Sequence, residues 1–147
     1  MTADKIIKAL GMDRHNEEGG FFKVTWRSAQ HIPKEILSGD YNNGRLAASS
    51  IYYLLKADQV SKWHKLISDE YWYWHYGGTL EMTLGGTGEK PVEKNKLRIG
   101  CNFTDGESFQ VHVPGGHWQT TKVVKGDFVL VSCVVTPGFE REDRFFE

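Results

Sequence analysis

From Phe21 onward the chain is a succession of short β-rich runs: "FFKVTWRS", "SSIYYLL", "EYWYWHY", "TLEMTL", "KLRIGCNF", "FQVHV", "WQTTKVV" and "FVLVSCVV". Turn clusters such as "SGDYNNG", "GGTGEKP", "TDGES", "PGGH" and "KGD" part them. Runs this short, rich in β-branched and aromatic residues and punctuated by Gly, Asn, Asp and Pro, read as strands rather than helices. About eight of them in sequence, with no helical period between, predict an all-β antiparallel sandwich or barrel. One segment alone reads as helix: Thr2 or Asp4 caps a short stretch ending at Leu10, Ile6, Ile7 and Leu10 form one apolar stripe, and Gly11 stops it. "GGTGEK" lacks the GxxxxGK[ST] spacing and no helix follows it, so it reads as a hairpin loop rather than a phosphate cradle.

A chain of 147 residues with 39% apolar content has enough core for one domain, residues 1–147. Eighteen Lys and Arg against nineteen Asp and Glu, with no run of one sign, exclude the electrostatic footprint of a nucleic-acid binder. A small neutral or mildly charged partner fits better. "MTADKIIKALGMD" has no continuous apolar h-region, and nowhere do about eighteen apolar residues run together, so no membrane segment is signalled and a cytoplasmic protein is expected. Cys101 and Cys133 lack CxxC spacing and sit in apolar runs, which suits buried thiols in a reducing compartment.

Alternation places the candidate chemistry. Residues two apart in a strand share a face, so His64 and Leu66 point together, while Glu70, Trp72, Trp74 and Tyr76 line one face of the next strand, with His75 opposite. Aromatic rings with a few polar groups in a barrel lumen would stack against a sugar or heterocycle. Gln110 and His112 share a face that meets either the lumen or a dimer partner. Arg27, Arg45 and Lys65 are either solvated or interfacial charges or anchors for an anionic group. His15, His31 and His75 are assigned to surface or packing roles.

The order His64, Leu66, Glu70, Gly77 resembles the first cupin motif, and Pro114, Gly116 and Gln119 resemble the second. "EGGFFKVTWRS" (18–28), Arg45, "IYYLL" (51–55), "WHKLISDEYW" (63–72), "VPGGHWQ" (113–119) and "PGFEREDRF" (137–145) are similar to successive signatures of the small Cupin_5-type cupins, a domain-of-unknown-function branch. The resemblance implies an all-β cupin jelly-roll barrel, often assembled as a homodimer. "HNEEGG", Val24 and Lys65 depart from the usual pattern near the N-terminal strand and the first motif.

A typical metal cupin supplies three histidines and a glutamate where this chain has His64, Leu66, Glu70 and Gln119. A leucine cannot coordinate and a glutamine oxygen is a weak ligand, so no metal and no cofactor are expected unless His112 or His117 bends in as a substitute. The expected site is therefore metal-free. His64 and Glu70 are the candidate catalytic pair, with Glu70 orienting the imidazole; Tyr52, Trp72, Trp74, Tyr76, Gln110 and Gln119 are candidate ligand contacts. The expected ligand is small, polar and carbohydrate-like or nucleotide-linked. By analogy with metal-free sugar-nucleotide epimerases among cupins, the resemblance implies an epimerase or isomerase with His64 as base. A non-catalytic small-molecule binder is the alternative, and a metal-dependent oxygenase or isomerase the second.

Overall fold

The helix forms where the apolar stripe lies. In the computed structural model, which describes residues 1–147, α1 spans Ala3–Leu10; the Thr2 hydroxyl, rather than Asp4, caps it by accepting from the Lys5 N–H at 3.3 Å. Gly11 ends it in the left-handed conformation, φ 61°, its N–H donating to the Lys8 carbonyl. Ile6 buries against Met12, Leu54 and Phe128, which pins the helix to the outer face of the sheet.

The strands are β1 (Asp13–Arg14), β2 (Phe21–Arg27), β3 (His31–Ile32), β4 (Arg45–Leu46), β5 (Ser49–Lys56) and β6 (Val60–Leu66), then β7 (Asp69–Leu84), β8 (Asn95–Ile99), β9 (Glu107–Ser108), β10 (Gln110–Val113), β11 (Gln119–Thr136) and β12 (Arg144–Phe146). β3 and β4 form a separate ribbon; the others join one ten-stranded sheet. Its main path runs β1-β2-β5-β11-β7-β8-β9, β10 adds to β7, and β6 pairs with both β11 and β12, so the sheet curls into a barrel. "GGTGEKP" is the expected hairpin loop, since Leu84 pairs with Asn95 across it.

Two strands are longer than the sequence runs suggest. "EYWYWHY" and "TLEMTL" merge into β7, and "WQTTKVV" and "FVLVSCVV" into β11, the pair staying in antiparallel contact from Gln119–Leu84 to Thr136–Asp69 through several register shifts. Glycine permits the bend: a Cβ on Gly78 would overlap the Lys125 carbonyl and one on Gly77 the Phe128 carbonyl, so the two backbones come this close only where no side chain intervenes. Turn residues that read as strand ends are thus corners within continuous strands.

The register sorts the barrel interior into two ends. Tyr53 and Leu55 of β5, Trp72, Leu80 and Met82 of β7, and Val129 and Val131 of β11 pack into one apolar core. Toward the other end, Ile51 pairs with Cys133, and Val135 with both Ser49 and Glu70. There the interior is not filled.

Candidate functional site

At that unfilled end lies a cavity of about 150 Å³. His64 and Leu66 of β6, Glu70 of β7, and Cys133 and Val135 of β11 form its inner wall. Phe22, Val24 and Arg27 of β2 face Ser49, Ser50 and Ile51 of β5 across one side, and His15, Glu18, Phe139 and Arg144 come from segments outside the long strands.

His64 is 2% exposed, and its two ring nitrogens have different neighbours. Nδ1 lies 2.7 Å from the Lys62 carbonyl, an acceptor only, so this nitrogen carries a proton and donates it. Nε2 stands 3.6 Å from Glu18 Oε1, which also accepts the Ser61 hydroxyl at 2.7 Å. The carboxylate facing the imidazole is thus Glu18; Glu70, expected to orient the ring, is held otherwise. Glu70 Oε1 accepts from Trp72 Nε1 at 3.1 Å and from Gln119 Nε2 at 2.8 Å. Burial raises the Glu70 carboxyl above its ordinary pKa, and the nearby His64 only partly opposes this. Burial likewise pushes the Cys133 thiol well up, and holds His15 below the ordinary histidine value.

The structure brings together some of the expected contacts and separates others. His64 and Glu70 both line the cavity, and Trp72 and Gln119, 1% exposed each, stand behind Glu70 as its hydrogen-bond donors. Tyr52 lies outside the barrel, edge-on to His75, because in "IYYLL" it is Tyr53 that points inward, its hydroxyl donating to Gly19 O at 2.6 Å. Trp74 packs at the rim of the apolar core and stacks on Phe109. Tyr76 is 47% exposed: Leu130 pairs with Tyr76 and Val131 with Trp74, so His75 is an extra residue that breaks the alternation. Gln110 and His112 face outward, His112 stacked on Tyr71 and 3.4 Å from Asp69. None of Tyr52, Trp74, Tyr76 and Gln110 lines the cavity.

Sequence reasoning missed the place in the cavity wall of His15, assigned to a surface or packing role, and of Glu18 and Arg144. Their only signal was membership of "HNEEGG" and "PGFEREDRF", stretches quoted for resemblance and not for chemistry. Of the two cysteines, Cys133 is buried as expected; Cys101 is exposed, because it follows β8 into a surface loop.

The positions matching cupin metal ligands do converge, but their donor set does not fit a resident metal. Leu66 offers no donor, Glu70 already accepts two hydrogen bonds, and no three His, Cys, Asp or Glu side chains are grouped to hold an ion. His112, one of the possible substitutes, points away from the barrel.

A Cupin_5 family model, described as "Cupin superfamily (DUF985)", matches residues 4–146. The uncharacterized protein YML079W of Saccharomyces cerevisiae is 30% identical over 99% of this chain and 75% of its own. Among solved structures, protein SO0799 from Shewanella oneidensis is similar at TM-score 0.84 and 33% identity, covering all of this chain and 85% of its own. A hypothetical protein from Leishmania major gives TM-score 0.84 and 30% identity over 99% of this chain and 86% of its own. No helix is long and apolar enough to cross a membrane.

Proposed function

Because the chain belongs to the Cupin_5 family of the cupin superfamily, whose barrel hosts unrelated chemistries, we propose that its cavity takes a small polar, carbohydrate-like ligand and that His64 acts there as a metal-independent base in an epimerase- or isomerase-like proton transfer. The observation that carries this reading is the asymmetric environment of His64. With Nδ1–H committed to the Lys62 carbonyl at 2.7 Å, the neutral ring keeps its basic lone pair on Nε2. An imidazolium formed by proton uptake at Nε2 would face Glu18 Oε1, 3.6 Å away, and be stabilised by it. Glu70 is the second titratable group of the cavity, its carboxyl raised above the ordinary value by burial.

Size narrows the ligand. A cavity of about 150 Å³ falls below the roughly 300–1,000 Å³ of drug-sized sites, so a monosaccharide-scale molecule suits it; any nucleotide attached to the sugar would extend past the mouth. A non-catalytic binder would use the same contacts without turnover. The metal-dependent oxygenase or isomerase is disfavoured by the donor set, not by fold.

Proton NMR in deuterated solvent, over a panel of sugar acids, sugar phosphates and nucleotide sugars, tests the reading. Wild type should exchange a carbon-bound proton of the ligand for deuterium and His64→Asn should not, with calorimetric affinity mostly kept. Exchange at an unchanged rate in His64→Asn rules the base out; binding without exchange in wild type makes the protein a binder.

We further propose a homodimer, supported by the open edge of β2. β1 pairs only with Phe21 and Phe22, and beyond them Val24 and Trp26 are 39% and 51% exposed. Light scattering should give about twice the 16.8 kDa chain mass; a monomer at micromolar concentration contradicts this.

A further inference from the structure

We propose that the ligand of this cavity carries an anionic group, a carboxylate or a phosphate, which Arg27 binds at the cavity mouth. The inference deepens the preceding reading and rests on the same cavity.

A defect in β2 brings Arg27 there. Phe22 and Val24 line the cavity in ordinary alternation, which would make Trp26 the next inward side chain. Instead the register slips: Val24 pairs with Ile51 and Trp26 with the adjacent Ser50, so β2 holds one extra residue. The slip turns Trp26 out to solvent, 51% exposed, and puts Arg27 into the cavity lining, paired in the ladder with Ser49. Bulges beside binding sites re-aim side chains in this way.

Two cations line the cavity, Arg27 and Arg144, and of the two only Arg27 has no carboxylate partner. Arg45 is buried and hydrogen-bonded through Nε to Asp143 at 2.8 Å, with Glu142 also at 2.9 Å. Lys65 lies over the Trp118 and Phe145 rings. Arg144, also in the cavity wall, has Glu17 at 3.2 Å and Glu18 at 3.9 Å. No carboxylate pairs with Arg27, whose side chain is exposed at the opening. Arg144 also holds a buried Nε–H with no acceptor, a second unanswered donor in the same wall.

The charge layout gives the ligand a direction. Glu18 is buried beside His64, so an anion entering that end would meet its carboxylate. The anionic group therefore stays outward, where a guanidinium offers the paired N–H geometry that carboxylate and phosphate accept. The uncharged, hydroxylated part of the ligand lies toward His64. The carbohydrate-like ligand becomes a sugar acid or a sugar phosphate.

The test reads the Arg27 Nε–Hε resonance by NMR while inorganic phosphate or glycolate is titrated at constant ionic strength. A saturable shift of that resonance is expected, with calorimetric affinity about tenfold weaker in Arg27→Ala and intermediate in Arg27→Lys, which keeps the charge but not the paired N–H geometry; His64 ring signals report that both variants are folded. An unmoved Arg27 resonance, or wild-type affinity in Arg27→Ala, overturns the proposal. Glucose, glucuronate and glucose 6-phosphate separate it from the reading on which it rests. Preference for the two anionic sugars, closed by Arg27→Ala, supports it. Equal affinity for all three overturns the anion inference and leaves the sugar reading standing. Phosphate bound at Arg27, with none of the three sugars binding, supports the anion site and overturns the sugar reading.

Discussion

At one end of the barrel Leu55, Leu80, Met82, Val129 and Val131 sit at 0% exposure and fill the interior. At the other end of the same β5, β7 and β11, the inward positions are Ser49, Ile51, Glu70, Cys133 and Val135, and they surround a cavity. β5 and β11 pair without a break between the two ends and β7 follows β11 through its register shifts, so the difference lies in which side chains are delivered inward. The filled end gains burial and dispersion from every inward residue. The hollow end forgoes that gain and carries buried carboxyls besides, which are tolerable only because Ser61, Trp72 and Gln119 hydrogen-bond them. Local conflict of this kind, confined to one region, is where a binding site is expected.

The comparison breaks first at the filled end. Leu80→Ala should cost about 2–5 kcal/mol in chemical denaturation, because it opens a void among side chains that cannot collapse; a loss below about 1 kcal/mol would mean that end is not the stabilising one. His64→Asn at the hollow end should cost far less stability, about 1–2 kcal/mol for its Lys62 hydrogen bond, while removing solvent exchange and keeping most ligand affinity.

Glu70→Gln sharpens the contrast through pH. The folded-state pKa of Glu70 is raised, with burial the larger cause and His64 opposing. In such a group the folded protein holds its proton over a window in which the unfolded chain has lost it. Its contribution to stability is full below the ordinary carboxylate pKa and is lost as pH rises through the raised value. Glutamine lacks that loss. The unfolding free energy of Glu70→Gln relative to wild type, read by chemical denaturation, should therefore climb across the window, at no more than about 1.4 kcal/mol per pH unit, and then level off. A difference independent of pH would show that Glu70 is not held as a buried acid. The smallest effects belong outside the barrel: Gln110→Ala and Tyr52→Phe should change stability by about 0.5 kcal/mol or less and leave calorimetric ligand affinity unaltered.

Much of this was legible in the chain itself. The strand-rich character, the capped helix at Ala3–Leu10, the hairpin at "GGTGEKP" and the shared face of His64 and Leu66 follow from local rules of capping, turn chemistry and period-two alternation. The absence of a histidine at Leu66 is a fact of sequence that already argued against a cupin metal set. Alternation states which residues share a face but not which face is inside, and so it took Tyr52 for a lining residue where Tyr53 is the inward one. It also fails at a bulge: one extra residue turned Tyr76 outward in β7 and brought Arg27 inward in β2. His15 and Arg144, 129 residues apart, meet only because the chain closes on itself. Short-range pattern governs each strand's two faces; register, bulges and closure assign those faces to core, cavity or solvent, because they depend on partners far away in sequence.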